Sequence, residues 1–418
     1  MPVGTGANNL QGMPMPDTHP PRQPSNSAPA ASAGPATGTT PTLIRGGQLF
    51  DAAAKRFAPG DLLLRDGRIH ASGSIDAPAD AAIVDARGCF VAPGFIDAHA
   101  HVFRHPLFES GRVTADRIGV QQGVACVVDA GSFGADLVDA FPEFVLKTQQ
   151  TRVYAFINIG SAGLPNLGGG HTSRPELVDL PGVVRAFDRH GDWLIGVKVL
   201  ASGSHTGAFG EQAVKMARKA AELVDRPLML HIGNAPPVVD DVLDLLRPGD
   251  IVTHAYHGKV GGVLTWQDTV LPAFRAAVER GVWVDIGHGQ SSFAFRTCEA
   301  ALNQGMPVHS ISSDLHTGSY RRHSISLARS MSKLLALGMT LEDVVAAVTS
   351  TPARMLRLDA HGFGSLAVGA PAHVSVFEVR DERHELTDSE GETRVADRWV
   401  APREVFVQGA RFERTAEL

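Results

Sequence analysis

Short apolar segments alternate with amphipathic helical patterns through the middle of this 418-residue chain. Most of the apolar segments are followed by residues with helical spacing, as in 211–225 and 267–280, and two further helices are predicted at 324–337 and 341–357. Strands that alternate with helices form parallel sheets, and eight such repeats close a (β/α)8 barrel. We therefore predict an α/β fold with a TIM-like (β/α)8 barrel, and a doubly wound open sheet is the alternative. The predicted strands are 94–99, 124–129, 152–159, 193–200, 227–232, 250–254, 282–286 and 308–313.

Polar residues with metal-binding side chains stand at the ends of several predicted strands. His99 and His101 end the first strand, and side chains two residues apart on a strand point to the same face. Two imidazoles side by side can give one metal ion two of its ligands. The carboxyl ends of all the strands meet at one end of a barrel, so the other strand-end residues would join them there. These residues are Lys198, His231, His254 and Asp314.

Lys198 needs a separate explanation, because an ammonium group beside four histidines would repel a divalent cation. A salt bridge is the simpler role for a lysine, but Val197, Val199 and Leu200 surround it with apolar side chains. A carbamate formed with carbon dioxide turns the lysine into an anion whose two oxygens can bridge two metal ions. The carbamate, Asp314 and a bridging hydroxide would then leave the site close to neutral, with all the histidines uncharged.

The two ends of the chain have short β-like patterns that differ from the middle. In residues 41–92, the pair Asp66-Gly67 lies between apolar runs and is typical of a hairpin. Residues 360–418 contain similar short strands with glycine turns. We predict that the two ends pair into one small β-sandwich domain beside the barrel, which spans 93–359.

Composition and charge exclude several classes of protein. A net charge of −6 without a basic stripe does not favour a nucleic-acid-binding protein. No run of about 18 apolar residues is present, and no basic segment precedes an apolar one, so neither a membrane span nor a signal peptide is expected. The three cysteines are widely spaced, which favours a reducing compartment, and we predict a cytoplasmic location. Residues 1–40 lack apolar periodicity and are predicted to be a disordered N-terminal extension.

Several of these segments together resemble the amidohydrolase superfamily, and within it the deacetylase and dihydroorotase-like metallohydrolases. The similar segments are PGFIDAHAH, GVKVLASGS, LMLHIGNAPP, DIVTHAYHGK, WVDIGHGQSSF, SISSDLH and GFGSLAVGAPAHVSVFEV. The resemblance covers nearly all of the chain from residue 41 onward. It implies a binuclear metal centre with zinc as the expected ion, although manganese, cobalt and iron also suit such ligands. The implied ligands are His99, His101 and Asp314 for one ion, His231 and His254 for the other, and carboxylated Lys198 as the bridge.

The resemblance implies a hydrolase in which a metal-bound hydroxide attacks an acyl carbonyl and Asp314 carries the proton to the leaving group. The first hypothesis for the substrate is a small N-acyl or O-acyl carboxylic acid, with acetyl as the expected acyl group. A cyclic amide or imide hydrolase, similar to dihydroorotases or hydantoinases, is the second. Dihydroorotases have an arginine two residues after the second histidine of HxH, where this chain has Phe103. A metal-free scaffold relative is the least favoured hypothesis, because all six ligand positions are present.

Further polar residues on loops after the strands are candidates for substrate contact. The expected partner is a small-molecule substrate, without nucleic acid or a membrane, and a homo-oligomer is compatible with the sequence. Two arginines, Arg321 and Arg322, follow the last predicted strand and are candidates for holding a substrate carboxylate. The other candidates are His205, His257, His288 and His316.

Overall fold

The computed structural model describes residues 40–103, 113–165, 171–317, 319 and 326–415. The predicted disordered extension, residues 1–40, lies outside this part of the chain except for Thr40. The strands are β1 (Thr42–Asp51), β2 (Arg56–Arg65), β3 (Arg68–Gly73), β4 (Ala82–Asp85), β5 (Phe90–Pro93), β6 (Phe95–Ala100), β7 (Val124–Ala130), β8 (Arg152–Asn158), β9 (Leu194–Ala201), β10 (Leu228–Ile232), β11 (Ile251–Thr253), β12 (Trp283–Val284), β13 (Val374–Arg380), β14 (His384–Thr387), β15 (Thr393–Ala396), β16 (Trp399–Val407) and β17 (Ala410–Glu413). The α-helices are α1 (Ala115–Ile118), α2 (Leu180–His190), α3 (Gly203–Thr206), α4 (Gly210–Leu223), α5 (Val239–Asp244), α6 (Pro272–Glu279), α7 (Phe295–Asn303), α8 (Leu327–Ala336), α9 (Leu341–Ala346) and α10 (Ser350–Met355).

Seven parallel strands form a curved sheet in the order β12-β11-β10-β9-β8-β7-β6, so that each strand lies beside the next one in the chain. Residues 308–315, called the closing segment below, lie between the two edges of this sheet. Ser310 pairs with Asp285 directly after β12, and Leu315 pairs with Ala100 of β6. The closing segment therefore takes the place of the eighth strand, and the predicted TIM-like barrel is confirmed.

The barrel strands are buried, as expected for parallel strands with side chains inside the barrel and helices outside it. Every residue of β6, β7, β8 and β9 is buried. The first seven predicted barrel strands each overlap an observed strand, and the eighth corresponds to the closing segment. Continuous apolar runs in the sequence therefore predicted the barrel strands correctly.

The helical pattern at 341–357 forms two helices, α9 and α10, rather than one. At the break, the carbonyl oxygens of Ala347 and Val348 accept hydrogen bonds from the amides of Ile311 and Ile96, at 3.0 and 2.8 Å. These carbonyls thus bind the barrel wall instead of the next helical turn. The interruption allows the chain to pack closely against β6 and the closing segment.

The remaining predicted helices agree more closely with the structure. The patterns at 211–225 and 324–337 correspond to α4 and α8. The helix predicted at 267–280 begins only at Pro272, because a bridged turn occupies 264–270. Within the described residues, the helices are too short or too polar to cross a lipid bilayer.

Strands from both ends of the chain share a second sheet, in the order β17-β16-β13-β5-β1-β2-β3 with β4 beside β1. This largely antiparallel sheet is the β unit that the sequence predicted from the chain ends. Asp66 and Gly67 have φ values of 51° and 72°, which suit the tight turn between β2 and β3. The Ser375 hydroxyl joins this sheet to the barrel, since it donates to Gly123 O and accepts from Phe95 N, at 2.9 and 3.0 Å. The domain boundaries given above stay a prediction.

Candidate metal centre and active-site cavity

A cavity of about 430 Å³ opens at the carboxyl ends of the barrel strands. One part of its wall is apolar and is formed by Phe103, Leu164, Pro165 and Leu200. The rest of the lining is polar and includes all six predicted metal ligands, together with Ser132, His205, His316 and Thr317. The six are His99, His101, Lys198, His231, His254 and Asp314.

His99 has a fixed tautomer because its Nδ1 atom is engaged by a side-chain relay. The Thr253 hydroxyl donates to Asp285 Oδ2 at 2.7 Å, so Thr253 Oγ1 is the acceptor for His99 Nδ1–H at 2.8 Å. The Nε2 atom of His99 therefore keeps its lone pair and points into the cavity. Such outer partners orient metal-binding imidazoles and increase their basicity.

A second relay of the same kind orients His101. The Ser132 hydroxyl donates to Asp129 Oδ2 at 2.8 Å and accepts from His101 Nδ1–H at 2.8 Å. Asp129 also accepts from the amides of Val102 and Phe103, at 2.9 and 3.2 Å, which fixes the chain directly after the second histidine. The relay leaves the Nε2 atom of His101 free to coordinate a metal ion.

His254 is oriented by a main-chain carbonyl. Its Nδ1–H donates to Gly287 O at 2.6 Å, so Nε2 again keeps the lone pair. His254 has a φ of 61° and Asp314 a φ of 47°, in the left-handed region that non-glycine residues rarely adopt. Backbone strain of this kind concentrates at functional sites, where the surrounding structure enforces it.

Asp314 lies beside the free Nε2 atoms of the first two histidines. Its Oδ1 atom is 3.2 Å from His101 Nε2 and 3.6 Å from His99 Nε2. Burial opposes ionisation of this carboxyl group, but the neighbouring His99, His101 and His254 outweigh burial and hold its pKa well below the usual range. Asp314 is therefore an anion surrounded by nitrogen ligands.

Lys198 is buried next to the histidines without a carboxylate partner in the described part of the chain. Its Nζ atom is 3.2 Å from His99 Nε2 and 3.5 Å from Met229 Sδ. Burial lowers the pKa of Lys198 to about 8, even though Asp314, Asp285 and Asp129 act in the opposite direction. With this pKa, about a tenth of the lysine is an uncharged, nucleophilic amine at pH 7, far more than for an exposed lysine.

Three of the cavity-lining histidines form a row of neighbouring imidazole rings. The ring of His254 lies 4.4 Å from that of His231, which lies 5.3 Å from that of His205. Burial is the main cause that holds the pKa values of His99, His231 and His254 well below 6.5. The predicted histidine ligands with shifted pKa values are thus uncharged at neutral pH, as metal coordination requires.

This donor set fits a divalent metal ion. One ligand atom each from His99, His254 and Asp314 lie within 4.8 Å of one another, and all three residues are buried. Neutral imidazole nitrogens with a carboxylate are typical ligands of zinc and of other first-row divalent ions. This triad fits one divalent ion and combines His254, predicted for the second ion, with two ligands predicted for the first, so the binuclear arrangement stays a prediction.

The four histidines predicted to contact substrate divide into two pairs. His205 and His316 line the cavity, and His205 Nδ1 lies 2.7 Å from the Ser202 hydroxyl. His257 and His288 are buried and lie outside the cavity lining. Arg321 and Arg322 lie outside the described residues.

The residues that orient the ligands were not among those predicted from the sequence. Asp129 and Asp285 are fully buried, and Ser132 and Thr253 connect them to His101 and His99. A signal existed, because Asp129 ends the apolar run VACVVD and Asp285 interrupts VWVDIG, just as Lys198 interrupts its own strand. A charged residue within a buried strand requires partners, and those partners are the ligand relays.

Comparisons with known proteins agree with this arrangement. A family model described as a deacetylase-like composite domain matches residues 366–413. Deacetylase Atu3266 from Agrobacterium fabrum is 36% identical over 360 residues, which cover 85% of this chain and 86% of that protein. A deacetylase from Enterococcus faecalis is 31% identical over 380 residues, which cover 89% of this chain and 98% of that protein.

Two solved structures resemble most of the chain. A dihydroorotase structure is 34% identical in sequence and superposes with a TM-score of 0.81. The match covers 90% of this chain and 98% of the dihydroorotase chain. An adenine deaminase structure is 30% identical in sequence and superposes with a TM-score of 0.83. The match covers 89% of this chain and 99% of the adenine deaminase chain. The likeness to both structures thus includes the barrel as well as the sheet from the chain ends.

Proposed function

This chain belongs to the amidohydrolase superfamily and is a hydrolase that acts on C–N bonds, and we propose that it removes an acyl group from a small N-acyl or O-acyl carboxylic acid. Acetyl is the acyl group proposed first. The observation that carries the proposal is the set of six converging ligand residues around a cavity of about 430 Å³. A cavity of this size accommodates a small molecule rather than a polymer.

The metal centre is part of the proposal, with zinc as the first choice of ion. His99, His101 and Asp314 would hold one ion, and His231 and His254 the other. Bound divalent ions supply a Lewis acid for a carbonyl oxygen and lower the pKa of water towards neutrality. The Nδ1–H groups of three histidines donate to acceptors of the protein, so their Nε2 lone pairs are available for metal ions.

Carboxylation of Lys198 supports the same site. The uncharged amine would attack the carbon of carbon dioxide, form an N–C bond and release one proton. Burial favours the uncharged amine, and His99 Nε2 at 3.2 Å places the product among the ligands. The resulting anion would replace a cation that repels metal ions.

Asp314 is the proposed proton carrier. Its ionised carboxylate lies at the cavity surface, where it would accept a proton from the attacking water and donate it to the leaving nitrogen or oxygen. His205 and His316, which also line the cavity, would contact the substrate. The apolar wall of Phe103, Leu164, Pro165 and Leu200 would exclude water from the acyl group.

Lys259 supports a carboxylic acid as the substrate. It follows β11, and its partly buried ammonium interacts electrostatically with His205 and His231, two residues of the cavity wall. Among the described residues, no carboxylate forms an ion pair with Lys259, although Asp314 and Glu390 act on it electrostatically. A positive charge beside the cavity without its own counter-ion would attract a substrate carboxylate.

A cyclic amide or imide hydrolase is the second candidate, favoured by the likeness to a solved dihydroorotase. The buried Phe103 argues against it, because this position lines the cavity with an aromatic ring, 5.4 Å from that of Phe133, where dihydroorotases have an arginine.

For the compartment, three free, buried cysteines support our prediction of a cytoplasmic location. A small-molecule substrate and a homo-oligomer stay predictions.

A substrate panel tests the proposal directly. N-acetyl amino acids, O-acetyl hydroxy acids and cyclic imides are incubated with metal-replete protein, and hydrolysis is measured. We expect turnover of acetylated acids, and turnover of cyclic imides alone would contradict the proposal.

A charge variant tests the carboxylate preference. Lys259→Met should raise KM for an acetylated acid about tenfold, which corresponds to about 1.4 kcal/mol, and leave its methyl ester unaffected. Lys219→Met, on the exposed face of α4, is the matched control. Equal KM changes for acid and ester would contradict a role in carboxylate binding.

A further inference from the structure

The turn after β12 contacts two of the proposed ligands directly. In this support turn, residues 285–289, the carbonyl of Gly287 accepts from His254 Nδ1 at 2.6 Å. Gly289 packs against the carboxylate of Asp314 so closely that a Cβ atom there would overlap it. Both glycines have positive φ values, 49° and 51°, so the turn has a shape that larger residues would strain. A shift of the support turn would therefore move His254 and Asp314.

His288 lies between the two glycines and is not part of the cavity lining. Its ring is fully buried and stacks on Phe293, with 4.9 Å between centroids. Lys333 Nζ lies 2.6 Å from His288 Nε2 and donates to Thr387 O at 2.8 Å. The carbonyl oxygen of Gly289 can only accept, so His288 Nδ1–H donates to it at 2.9 Å, and in this tautomer Nε2 is the acceptor for Lys333 Nζ.

The C-terminal hairpin, residues 384–396, packs against residues 293–295, which follow the support turn in the chain. The amide of Ser389 donates to Phe293 O at 2.9 Å, and the amide of Phe295 donates to Asp388 Oδ2 at 2.8 Å. Thr387, the acceptor for Lys333, ends the first strand of this hairpin. Lys333 thus connects α8, the hairpin and the support turn.

A buried lysine is a costly way to fill space. Lys333 has no exposed surface, and burial lowers its pKa to about 7, with Arg329 adding to that effect and Asp388 opposing it. Methionine or leucine would fill the same volume without burying a polar nitrogen. Unlike those side chains, Lys333 makes directed hydrogen bonds to His288 and Thr387.

We propose that Lys333 is a positioning residue that acts through His288, fixing the support turn and thereby the orientation of His254 and Asp314. The inference rests on the proposed metal centre, whose ligands these two residues are. Lys333 is not part of the cavity lining. It sets the geometry of ligands that lie on the opposite side of the support turn.

Metal affinity is the measurement that tests this role. Zn²⁺ binding to the full chain is measured by competition with a chromophoric chelator, for wild type and for Lys333→Met. We expect affinity to fall about 10- to 100-fold, the range for loss of an outer partner of metal ligands. Arg329→Met, one turn earlier on α8 and packed over Trp399, is the control and should bind Zn²⁺ like wild type.

A second variant keeps the test decisive if Lys333→Met folds poorly. His288→Phe preserves a ring against Phe293 and removes both nitrogen contacts. It should lose Zn²⁺ affinity to a similar extent. The variant with both changes should lose no more affinity than either single variant, because both changes remove the same Lys333–His288 hydrogen bond. Wild-type affinity in folded Lys333→Met or His288→Phe would overturn the proposal, and so would an equal loss in Arg329→Met.

The outcome also separates this inference from the proposed function. If wild type binds Zn²⁺ but hydrolyses no acylated acid, the proposed function fails. The positioning role stands if the variants still lose affinity. If wild type hydrolyses acylated acids and the folded variants bind Zn²⁺ normally, only the positioning role fails.

Discussion

The Asp285–Thr253–His99 relay permits a sharp test, because one hydroxyl group carries both of its hydrogen bonds. Thr253→Val keeps the shape and β propensity of a residue at the end of β11 but removes the acceptor for His99 Nδ1–H and the donor to Asp285. Thr253 is fully buried, so water cannot replace these contacts. Ser312 still donates to Asp285, at 2.8 and 2.9 Å, which limits the damage to that carboxyl group.

The magnitude follows from the two contacts. An unsatisfied buried N–H costs about 1–3 kcal/mol, and a lost hydrogen bond about 1 kcal/mol, so the free energy of unfolding should fall by about 2–4 kcal/mol. With His99 no longer held in one tautomer, Zn²⁺ affinity should fall about 10- to 100-fold. Chemical denaturation measures the first quantity and chelator competition the second.

The chain contains a matched control for this variant. Thr151 is also fully buried, and its hydroxyl accepts from Val120 N at 3.1 Å and lies 2.8 Å from Asp116 Oδ1. It directly precedes β8, at the opposite end of that strand from the carboxyl ends that carry the proposed ligands. Thr151→Val should lose comparable stability and keep wild-type metal affinity. Wild-type Zn²⁺ affinity in Thr253→Val would contradict the role of the relay in metal binding. An equal loss of Zn²⁺ affinity in Thr151→Val would contradict it as well.

Three further predictions concern the proton carrier, the bridge and the pH dependence of stability. Asp314→Asn keeps one ligand oxygen but cannot take up a proton, so turnover should drop by about 10² to 10⁴ while most metal binding survives; near-normal turnover would point to another proton carrier. Lys198→Ala should lose most of its activity and at least one metal ion, and acetate or propionate should restore part of the activity; full activity without added carboxylate would exclude the carbamate. Burial lowers the pKa of His373 to about 3, well below the 6.5 of an exposed histidine, so the unfolded chain gains a proton below pH 6.5 that the folded chain does not. Stability should therefore fall with pH below 6.5, by about 2 kcal/mol at pH 5 from this residue, and His373→Phe should remove that share of the pH dependence in denaturation curves; an unchanged slope would contradict the assignment.

The ligand residues could be predicted because each breaks a strong local pattern. His99, Lys198 and His254 are polar residues within or next to apolar strands, and barrel geometry brings all strand ends together. The structure places all six predicted ligands on one cavity. Local pattern and fold topology were sufficient for this part of the site.

The support around the ligands could not be predicted in the same way. Thr253 and His99 are 154 positions apart in the chain, and nothing in either segment indicates the other as its partner. His288 and His205 have similar sequence surroundings, yet the two positive-φ glycines turn His288 away from the cavity while His205 lines it. Side-chain direction in a loop depends on backbone angles that sequence patterns do not specify.

The metal-to-chain ratio tests the central claim most directly. The full chain is purified with excess Zn²⁺, free metal is removed, and zinc is measured by elemental analysis against protein concentration. We predict a ratio close to two. The two ions would be held by His99, His101, His231, His254, Asp314 and carboxylated Lys198. A ratio of one or less in folded protein would contradict the binuclear centre and the bridging role of Lys198.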